Sequence, residues 1–273
     1  MKLTDTLEDQ DIRSISDSII KARIACSGLS EYPGELPQSL ETAYRIQDLS
    51  MSKWRDRLVG WKVGGIAPHL QDKFKQERLS GPIYASNVEY SPASEVIAMP
   101  VFEDGFAAIE AEFILELGDT SGLPDKDITE RQIVDVIEKV YIGVEIASSP
   151  IQNINDFGPV APISDFGNNS GMVIGAQIEN WQQLDFSTVA VTVDIDGRLY
   201  GPTRTKPGLD GPLGAAKFLI EQLKLRGYAI PVGTYICSGA ITGVHDSEVG
   251  AKSTISFEGL GTIDLTLVSN RNW

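Results

Sequence analysis

The sequence is poor in the residues on which many kinds of protein site depend. It has only two cysteines, Cys26 and Cys237, and two histidines, His69 and His245. Two thiols cannot build a disulfide framework or a cysteine-rich zinc site, and two imidazoles exclude a site made of several histidines. Neither histidine is accompanied by the Gly-x-Ser-x-Gly motif of a nucleophilic serine. Any metal ion should therefore be held by oxygen ligands, which favours Mg²⁺ or Mn²⁺ over Zn²⁺.

Positive charge and long apolar runs are also scarce. The chain has 273 residues, and 23 Lys and Arg face 38 Asp and Glu, a formal net charge of −15. Such a surface repels nucleic-acid phosphates and anionic membranes. No apolar stretch approaches the ~18 residues of a membrane-spanning helix, and the polar first residues do not resemble a secretory signal. We therefore expect a cytoplasmic protein with neither a nucleic-acid nor a membrane partner.

Periodicity predicts an α+β chain in which helices come first. Ser39 can cap a helix that runs to about Trp54, whereas the stretch 60–100 is interrupted by several glycines and prolines. We expect a mostly helical N-terminal region over 1–75 and a β-rich catalytic domain over 76–273, or one continuous unit made of both.

Strands are expected to dominate the second region. Residues 106–117 alternate between apolar and acidic side chains, and an apolar strand is predicted at 141–147. Between them, a capping box at 129–132 predicts a helix to about Lys139. The segment 148–171 is long, polar and rich in Asn, Gly and Pro. Connections of this length are usually functional or disordered, so we expect this one to form a wall of a site.

Glu110 and Glu112 are the first candidates for chemistry. Carboxylates at positions i and i+2 of a strand lie on one face, roughly 6–7 Å apart along it. If they converge to about 4 Å in a partly buried cleft, they repel each other by ~4 kcal/mol at an effective dielectric of 20. A divalent cation would remove that repulsion. The same spacing also fits the solvated face of an amphipathic strand.

Further polar candidates lie in glycine-rich or loop segments. Lys62, within the sequence GWKVGG, could bind a carboxylate or stabilise an enolate, or it could be a surface lysine in a turn. Asp165 and Asn168 in the long segment, and Ser238 and Thr242 after a later strand, are candidate substrate contacts. Ordinary turn chemistry explains the same residues equally well.

Several motifs, taken in order, resemble the 2-keto-4-pentenoate hydratase family of the fumarylacetoacetate hydrolase superfamily, which includes the 2-oxo-3-hexenedioate decarboxylases. The likeness runs from about residue 20 to the C-terminus through GWKVGG, IEAEF, VEIASSPI, ISDFGNNSGMVIG and TYICSGAIT. The resemblance implies a catalytic domain built on a highly curved mixed β-sheet, a β-roll, and assembly into homo-oligomers. It also implies a Mg²⁺ or Mn²⁺ ion that chelates a small 2-oxo acid. Glu110 and Glu112 match the family's Glu-x-Glu metal ligands, and Lys62 matches its active-site lysine.

The chain departs from the family pattern at three places. In the pattern, a third acidic ligand follows a glutamate by three residues, and Ser148 stands at that distance from Glu145. Ser80 replaces an acidic residue before Gly81, and the loop sequence at 165–168 also differs. We therefore expect Ser148 to lie beside the two glutamates in a weak metal site, and Ser148→Asp to tighten metal binding.

The favoured function is that of a metal-dependent lyase that hydrates an unsaturated 2-oxo acid in aromatic-compound degradation. A first alternative is a 2-oxo-3-hexenedioate-type decarboxylase or an acylpyruvate-type C–C hydrolase, for which His69 would be the base to test. A second alternative is a non-catalytic member that kept the scaffold while its metal site degenerated. Bound Mg²⁺ or Mn²⁺ at Glu110 and Glu112 would favour the enzyme over the non-catalytic protein.

Overall fold

The fold is a mixed α+β arrangement built around two β-sheets. The structure is a computed structural model that describes residues 7–91 and 95–272. Residues 1–6 of the predicted N-terminal region, and residues 92–94 and Trp273 of the predicted catalytic domain, lie outside the described residues. The predicted α+β class is confirmed.

Six α-helices accompany the sheets in the described ranges, and two of them begin where the sequence indicates. Within the described ranges they are α1 (Asp9–Ile24), α2 (Leu40–Lys53), α3 (Pro68–Phe74), α4 (Glu130–Val136), α5 (Val160–Ser164) and α6 (Pro212–Leu225). Ser39 caps α2 by accepting a hydrogen bond from the Thr42 N–H, as predicted. The predicted capping box also precedes α4, but that helix ends at Val136 rather than at about Lys139. In the part of the chain that is described, no helix is long and apolar enough to cross a membrane.

The strands form one large and one smaller sheet. They are β1 (Leu58–Gly65), β2 (Arg78–Tyr84), β3 (Val88–Tyr90), β4 (Val96–Val101), β5 (Phe106–Leu117), β6 (Ile137–Ser149), β7 (Asn169–Gln177), β8 (Val191–Ile195), β9 (Arg198–Thr203), β10 (Tyr235–Cys237), β11 (His245–Asp246), β12 (Lys252–Phe257) and β13 (Gly261–Ser269).

Both sheets contain parallel as well as antiparallel pairs, so the predicted mixed character is confirmed. The large sheet has the order β2-β1-β10-β5-β6-β7-β3, with β11 also paired to β5. The smaller sheet has the order β4-β13-β12-β8-β9. The pairs β1/β10, β3/β7 and β4/β13 are parallel, and the other pairs are antiparallel.

The large sheet joins the two regions expected from the sequence. Strand β1 lies within 1–75, yet it pairs with β2 and β10, which both lie within 76–273. Helix α2 packs on α1 and on α5. The division at residue 75 stays a prediction, and the two regions share one sheet.

Strands β5 and β6 form the middle of the large sheet and are buried on both faces. The apolar face of β5 carries Phe113 and Leu115, both fully buried in the main core. The acidic face is buried as well, since Glu110 is 4% exposed and Glu112 is 0% exposed. The interpretation of this face as a solvated one is therefore wrong. Acidic groups buried in this way need a compensating charge or proton.

Candidate functional site

Three glutamates meet on one face of β5 and β6. Glu110 and Glu112 are two residues apart on β5, and Glu145 on β6 lies directly opposite Glu110. Residues that are directly opposite in an antiparallel pair project to the same face, with their Cβ atoms about 4.5–5.5 Å apart. One carboxylate oxygen from each glutamate lies within 4.8 Å of the others. Glu145, like Glu112, is 0% exposed.

The oxygens of this triad are only partly satisfied by hydrogen bonds. The Gly239 N–H donates to Glu112 Oε2 over 2.8 Å, and Asn169 Nδ2 donates to Glu145 Oε1 over 3.0 Å. Glu112 Oε1 and Glu145 Oε2 are buried and find no hydrogen-bond donor within residues 7–91 and 95–272. Unpaired buried acceptors are costly, and carboxylate oxygens are ligands that Mg²⁺ prefers. The residues present therefore fit a divalent cation.

Lys62 supplies a positive charge beside the triad. Its Nζ lies 3.4 Å from Glu145 Oε1 and donates a hydrogen bond to Asn168 Oδ1, also over 3.4 Å. Burial lowers the pKa of Lys62, but the negative charges of Glu145, Glu110 and Glu112 outweigh it and hold the pKa above its ordinary value. The side chain is therefore an ammonium at neutral pH. The expectation that Lys62 lies near the glutamates is confirmed geometrically.

One lysine does not balance three carboxylates. Burial raises the pKa of Glu110 to about 7, against the opposing charge of Lys62. Burial also raises the pKa of Glu112 well above its ordinary value, and the charges of Glu145 and Glu110 add to this effect. Without further positive charge, Glu110 and Glu112 are therefore partly protonated near neutrality. A divalent cation would replace those protons.

Ser148 does not lie beside the glutamates, so that expectation is wrong. Its hydroxyl accepts from the Phe102 N–H over 3.0 Å and donates to Phe106 O over 2.6 Å. Ser148 pairs with Ala107 of β5, three residues from Glu110. Because side chains alternate along a strand, an odd separation places Ser148 on the opposite face. The third acidic side chain is supplied by Glu145.

A tight turn between α5 and β7 brings Asn168 to Lys62. Phe166, Gly167 and Asn168 have φ angles of 54°, 68° and 55°, three consecutive left-handed residues. The turn packs against Gly81 of β2, where an added Cβ would lie 2.0 Å from Phe166 O. Gly81 in turn pairs with Lys62. Glycine at 81 is therefore needed for this close approach of two backbones.

The four predicted substrate contacts have different environments. Asn168 lines the cavity described below. The Asp165 carboxylate is fully buried and bonded to Arg23 and to Ser149 Oγ, the latter over 2.5 Å. Ser238 Oγ donates to Phe113 O, and Thr242 Oγ1 is 2.9 Å from His245 Nε2. In the described ranges, the cavity lining includes Asn168 but not Asp165, Ser238 or Thr242.

Glu110 of the triad and Lys62 line a cavity of about 910 Å³. Polar lining comes from Asn155 and Asn168, and the exposed His69 and Lys73 of α3 also border the cavity. Apolar lining comes from Leu70, Phe74, Phe157 and Val160. The segment 148–171 contributes many of these residues, which confirms that it forms a wall of the site. It is not structureless, since it contains the end of β6, α5, the start of β7 and two short 3₁₀ turns.

Two residues of the site were not identified from the sequence. Glu145 is a lone charge in the apolar run YIGVEIA, and an isolated carboxylate in a buried strand is itself a signal of pairing or ligation. Asn169, which donates to it, sits in the sequence FGNNSG, where nothing distinguishes it from ordinary turn asparagines.

Comparisons with known proteins find relatives of the same length. No protein-family model matches the chain. It is 23% identical to a 4-oxalocrotonate decarboxylase of Pseudomonas putida over 96% of this chain and 99% of the relative. It is 22% identical to a 2-keto-4-pentenoate hydratase of Paraburkholderia phymatum over 94% of this chain and 97% of that protein.

Solved structures show the same fold. A 4-oxalocrotonate decarboxylase from Pseudomonas putida G7, complexed with magnesium and adipate, superposes with a TM-score of 0.79 at 19% identity, covering 97% of this chain and 100% of that one. A fumarylpyruvate hydrolase from Pseudomonas aeruginosa, in complex with Mn²⁺ and pyruvate, superposes with a TM-score of 0.55 at 17% identity, covering 80% and 91% of the two chains. The predicted fold is therefore confirmed.

Proposed function

We propose that this chain, which belongs to the family of 2-keto-4-pentenoate hydratases and 4-oxalocrotonate decarboxylases, is a metal-dependent lyase for a small unsaturated 2-oxo acid. Two of its relatives are a decarboxylase and a hydratase that match it over nearly their whole length. The observation that carries the proposal is the buried triad of Glu110, Glu112 and Glu145, with Lys62 beside it, at a cavity large enough for a small acid.

Glu110, Glu112 and Glu145 would hold one Mg²⁺ or Mn²⁺ ion. When bound, such an ion supplies Lewis-acid polarisation of the substrate's keto oxygen. Three carboxylates give the site more negative charge than the two expected with serine as the third group. The non-catalytic alternative rested on two missing acidic groups, at Ser148 and at Ser80, and Glu145 supports an acidic third group in place of the first.

Lys62 would stabilise negative charge that develops on the substrate. Its ammonium is fixed between Glu145 and Asn168 and is protonated at neutral pH, so it acts as a positive charge or proton donor rather than as a general base. Asn168 Nδ2 donates to Asn155 Oδ1 over 3.3 Å, and both side chains line the cavity. This polar row can orient a carboxylate or a water molecule beside the ammonium.

Hydration of a 2-oxo-4-enoate adds a hydroxyl group and a proton across the carbon–carbon double bond. Decarboxylation of a 2-oxo-3-enedioate, which releases CO₂, is the second candidate. It is favoured by the magnesium-containing decarboxylase that superposes on 97% of the chain. In the decarboxylation, and in the hydration once the double bond has moved into conjugation with the keto group, electrons pass towards the keto oxygen, where Lys62 and the ion would act.

Turnover assays with purified protein test the proposal. The protein is incubated with 2-oxo-4-pentenoate in its conjugated dienol form, 2-hydroxy-2,4-pentadienoate, or with 2-oxo-3-hexenedioate, each with Mg²⁺, with Mn²⁺ or with EDTA. We expect Mg²⁺-dependent loss of the conjugated absorbance or release of CO₂, and at least a 100-fold loss of rate for Lys62→Met, in the range of removing one charge-stabilising donor. Absence of metal-dependent turnover with either acid, or full activity of Lys62→Met, would contradict the proposal. Acylpyruvate cleavage with His69→Gln is the matching assay for the hydrolase alternative.

Assembly and location belong to the same proposal. We expect a cytoplasmic homo-oligomer, as the family resemblance implies, acting in the degradation of aromatic compounds. Light scattering coupled to size-exclusion chromatography measures the mass directly. A mass of 29.7 kDa, that of one chain, would contradict the oligomer.

A further inference from the structure

Helix α1 contributes a buried arginine to the far side of the turn that carries Asn168 and Asn169. We propose that Arg23, with Asp165, is a positioning residue that holds this turn in the shape required for metal binding by Glu145. The inference rests on the proposed metal-dependent function. It gives the N-terminal helix a role in the site and replaces the predicted substrate contact at Asp165 by a positioning contact.

The guanidinium of Arg23 donates hydrogen bonds to both ends of the turn. Its Nε donates to Asp165 Oδ1, and its Nη2 donates to Asp165 O over 3.2 Å. Its Nη1 donates to Asn169 O over 3.2 Å, and Nη2 also reaches Ser148 O at 3.4 Å. Ser149 Oγ donates to the other carboxylate oxygen of Asp165. The planar guanidinium therefore bridges the two residues that flank the turn, Asp165 and Asn169.

The segment between these two anchor points is strained. Phe166, Gly167 and Asn168 are all left-handed, and for residues other than glycine this conformation is sparsely populated. Such strain persists only where the surroundings over-determine it. The Arg23 guanidinium supplies this constraint, and it also stacks on rings at both sides, 4.9 Å from the Phe166 centroid and 5.6 Å from that of Phe102.

The turn places two amide side chains beside the charged groups of the site. Asn169 Nδ2 donates to Glu145 Oε1, and Asn168 Oδ1 accepts from Lys62. Arg23 Nη1 donates its hydrogen bond to the backbone carbonyl of Asn169 itself. A shift of the Asn169 carbonyl would also shift the Asn169 side-chain amide, which orients the proposed ligand Glu145. Partners that orient ligands in this way typically change metal affinity by about 10–100-fold when removed.

Arg23→Lys is the test variant, because lysine keeps the charge beside Asp165 but cannot bridge both ends of the turn. Asn169→Leu removes the hydrogen bond from Asn169 Nδ2 to Glu145 and leaves Arg23 in place. The matched control is Arg226→Lys. The Arg226 side chain is 10% exposed, pairs with Asp48, bonds Gln47, and stacks on Tyr44, Trp61 and Tyr228. Arg226→Lys therefore also removes a mostly buried, ion-paired guanidinium, at a different place in the fold.

Mn²⁺ affinity is measured for the full chain by electron paramagnetic resonance, and melting temperature by calorimetry. We expect Arg23→Lys and Asn169→Leu each to weaken Mn²⁺ binding about 10-fold, and the double variant to bind no more weakly than the worse single variant, because both act through one path. Arg226→Lys should lower the melting temperature with Mn²⁺ affinity within twofold of the parent. Rescue of Arg23→Ala affinity by added guanidinium would support the same role.

Different outcomes separate this inference from the function on which it rests. A parent that binds no Mn²⁺ would overturn the metal-dependent function and this inference with it. A parent that binds Mn²⁺, with an Arg23→Lys variant that is folded and binds equally well, would overturn the inference alone. Additive losses in the double variant, or an equal loss of Mn²⁺ affinity in Arg226→Lys, would reduce Arg23 to a general stabilising residue and also overturn it.

Discussion

At the residue scale, the direction in which each side chain leaves its strand determines which groups can form the proposed metal site. Glu145 and Ser148 are three positions apart on β6, so they face opposite sides of the sheet. Only the glutamate shares a face with Glu110 and Glu112. The serine instead closes a backbone hydrogen-bond network at the other side.

Ser148→Asp should therefore destabilise the protein without tightening metal binding. The serine hydroxyl donates to Phe106 O and accepts from the Phe102 N–H, whereas an ionised aspartate can only accept. We expect a loss of about 1–3 kcal/mol in the free energy of unfolding and an unchanged Mn²⁺ affinity, measured by denaturant melts and calorimetric titration. Ser148→Ala separates the lost hydroxyl from the added charge. Tighter Mn²⁺ binding by the aspartate variant would instead place residue 148 beside the glutamates, as expected from the sequence.

Glu112→Gln should remove stabilisation by metal and raise the melting temperature of the metal-free protein. Burial keeps the pKa of Glu112 well above its ordinary value, so the charged form opposes folding at neutral pH, and a neutral amide of the same shape removes that cost. We expect a gain of about 2–4 °C, equivalent to ~1 kcal/mol, by scanning calorimetry at pH 8 in EDTA.

The control for this change lies on the same strand. Glu116 accepts hydrogen bonds from Lys139 and Tyr141 rather than joining the triad. Glu116→Gln should lose part of this pairing and melt lower, with stabilisation by Mg²⁺ intact. A Glu112→Gln protein that Mg²⁺ stabilises as strongly as the parent would remove Glu112 from the site.

At the scale of elements, the site depends on the contact between β2 and the 166–168 turn. Gly81→Ala places a Cβ 2.0 Å from Phe166 O, so one backbone must move. We expect a loss of about 1–3 kcal/mol in stability, together with weaker Mn²⁺ binding, because a displaced turn also shifts Asn169, which donates to Glu145. Gly122→Ala, where a Cβ meets nothing within 4 Å, is the control. Equal melting temperatures and affinities for the two variants would contradict this packing.

The sequence predicts those elements whose signals are local. The cap at Ser39, the capping box before α4 and the alternation over 106–117 depend on neighbouring residues, and all three are present in the structure. The length of β6 and the internal helix of 148–171 depend on tertiary packing, which local patterns do not contain.

The residues of the site also divide into those with a local sequence signal and those without one. Glu110, Glu112 and Lys62 stand in short motifs and could be predicted. Glu145 was not identified as a candidate ligand, because the third ligand was expected three residues after it, at Ser148. That expectation ignored the alternation of side chains along β6, which places Ser148 on the opposite face. Arg23 could not be predicted, because its partner Asp165 lies 142 positions away along the chain. Contacts of that separation are set by the packing of α1 on the sheet region.

At the scale of the whole molecule, metal binding should act as a global stabiliser. A ligand that binds only the folded state at one hundred times its dissociation constant adds about 2.7 kcal/mol, which corresponds to roughly 5–10 °C in melting temperature. We expect Mg²⁺ and Mn²⁺ to produce this shift and Na⁺ at equal ionic strength not to. Equal melting curves with Mg²⁺ and with EDTA would contradict binding by the folded protein.

We propose that Glu110, Glu112 and Glu145 together hold the ion of a metal-dependent lyase. Diffraction from crystals grown with Mn²⁺, recorded at the manganese absorption edge, locates that ion directly. We predict one strong anomalous peak in contact with carboxylate oxygens of all three glutamates, open to the cavity that Lys62 lines. A peak that excludes Glu145, or no peak at these residues in a Mn²⁺-saturated crystal, would contradict the account.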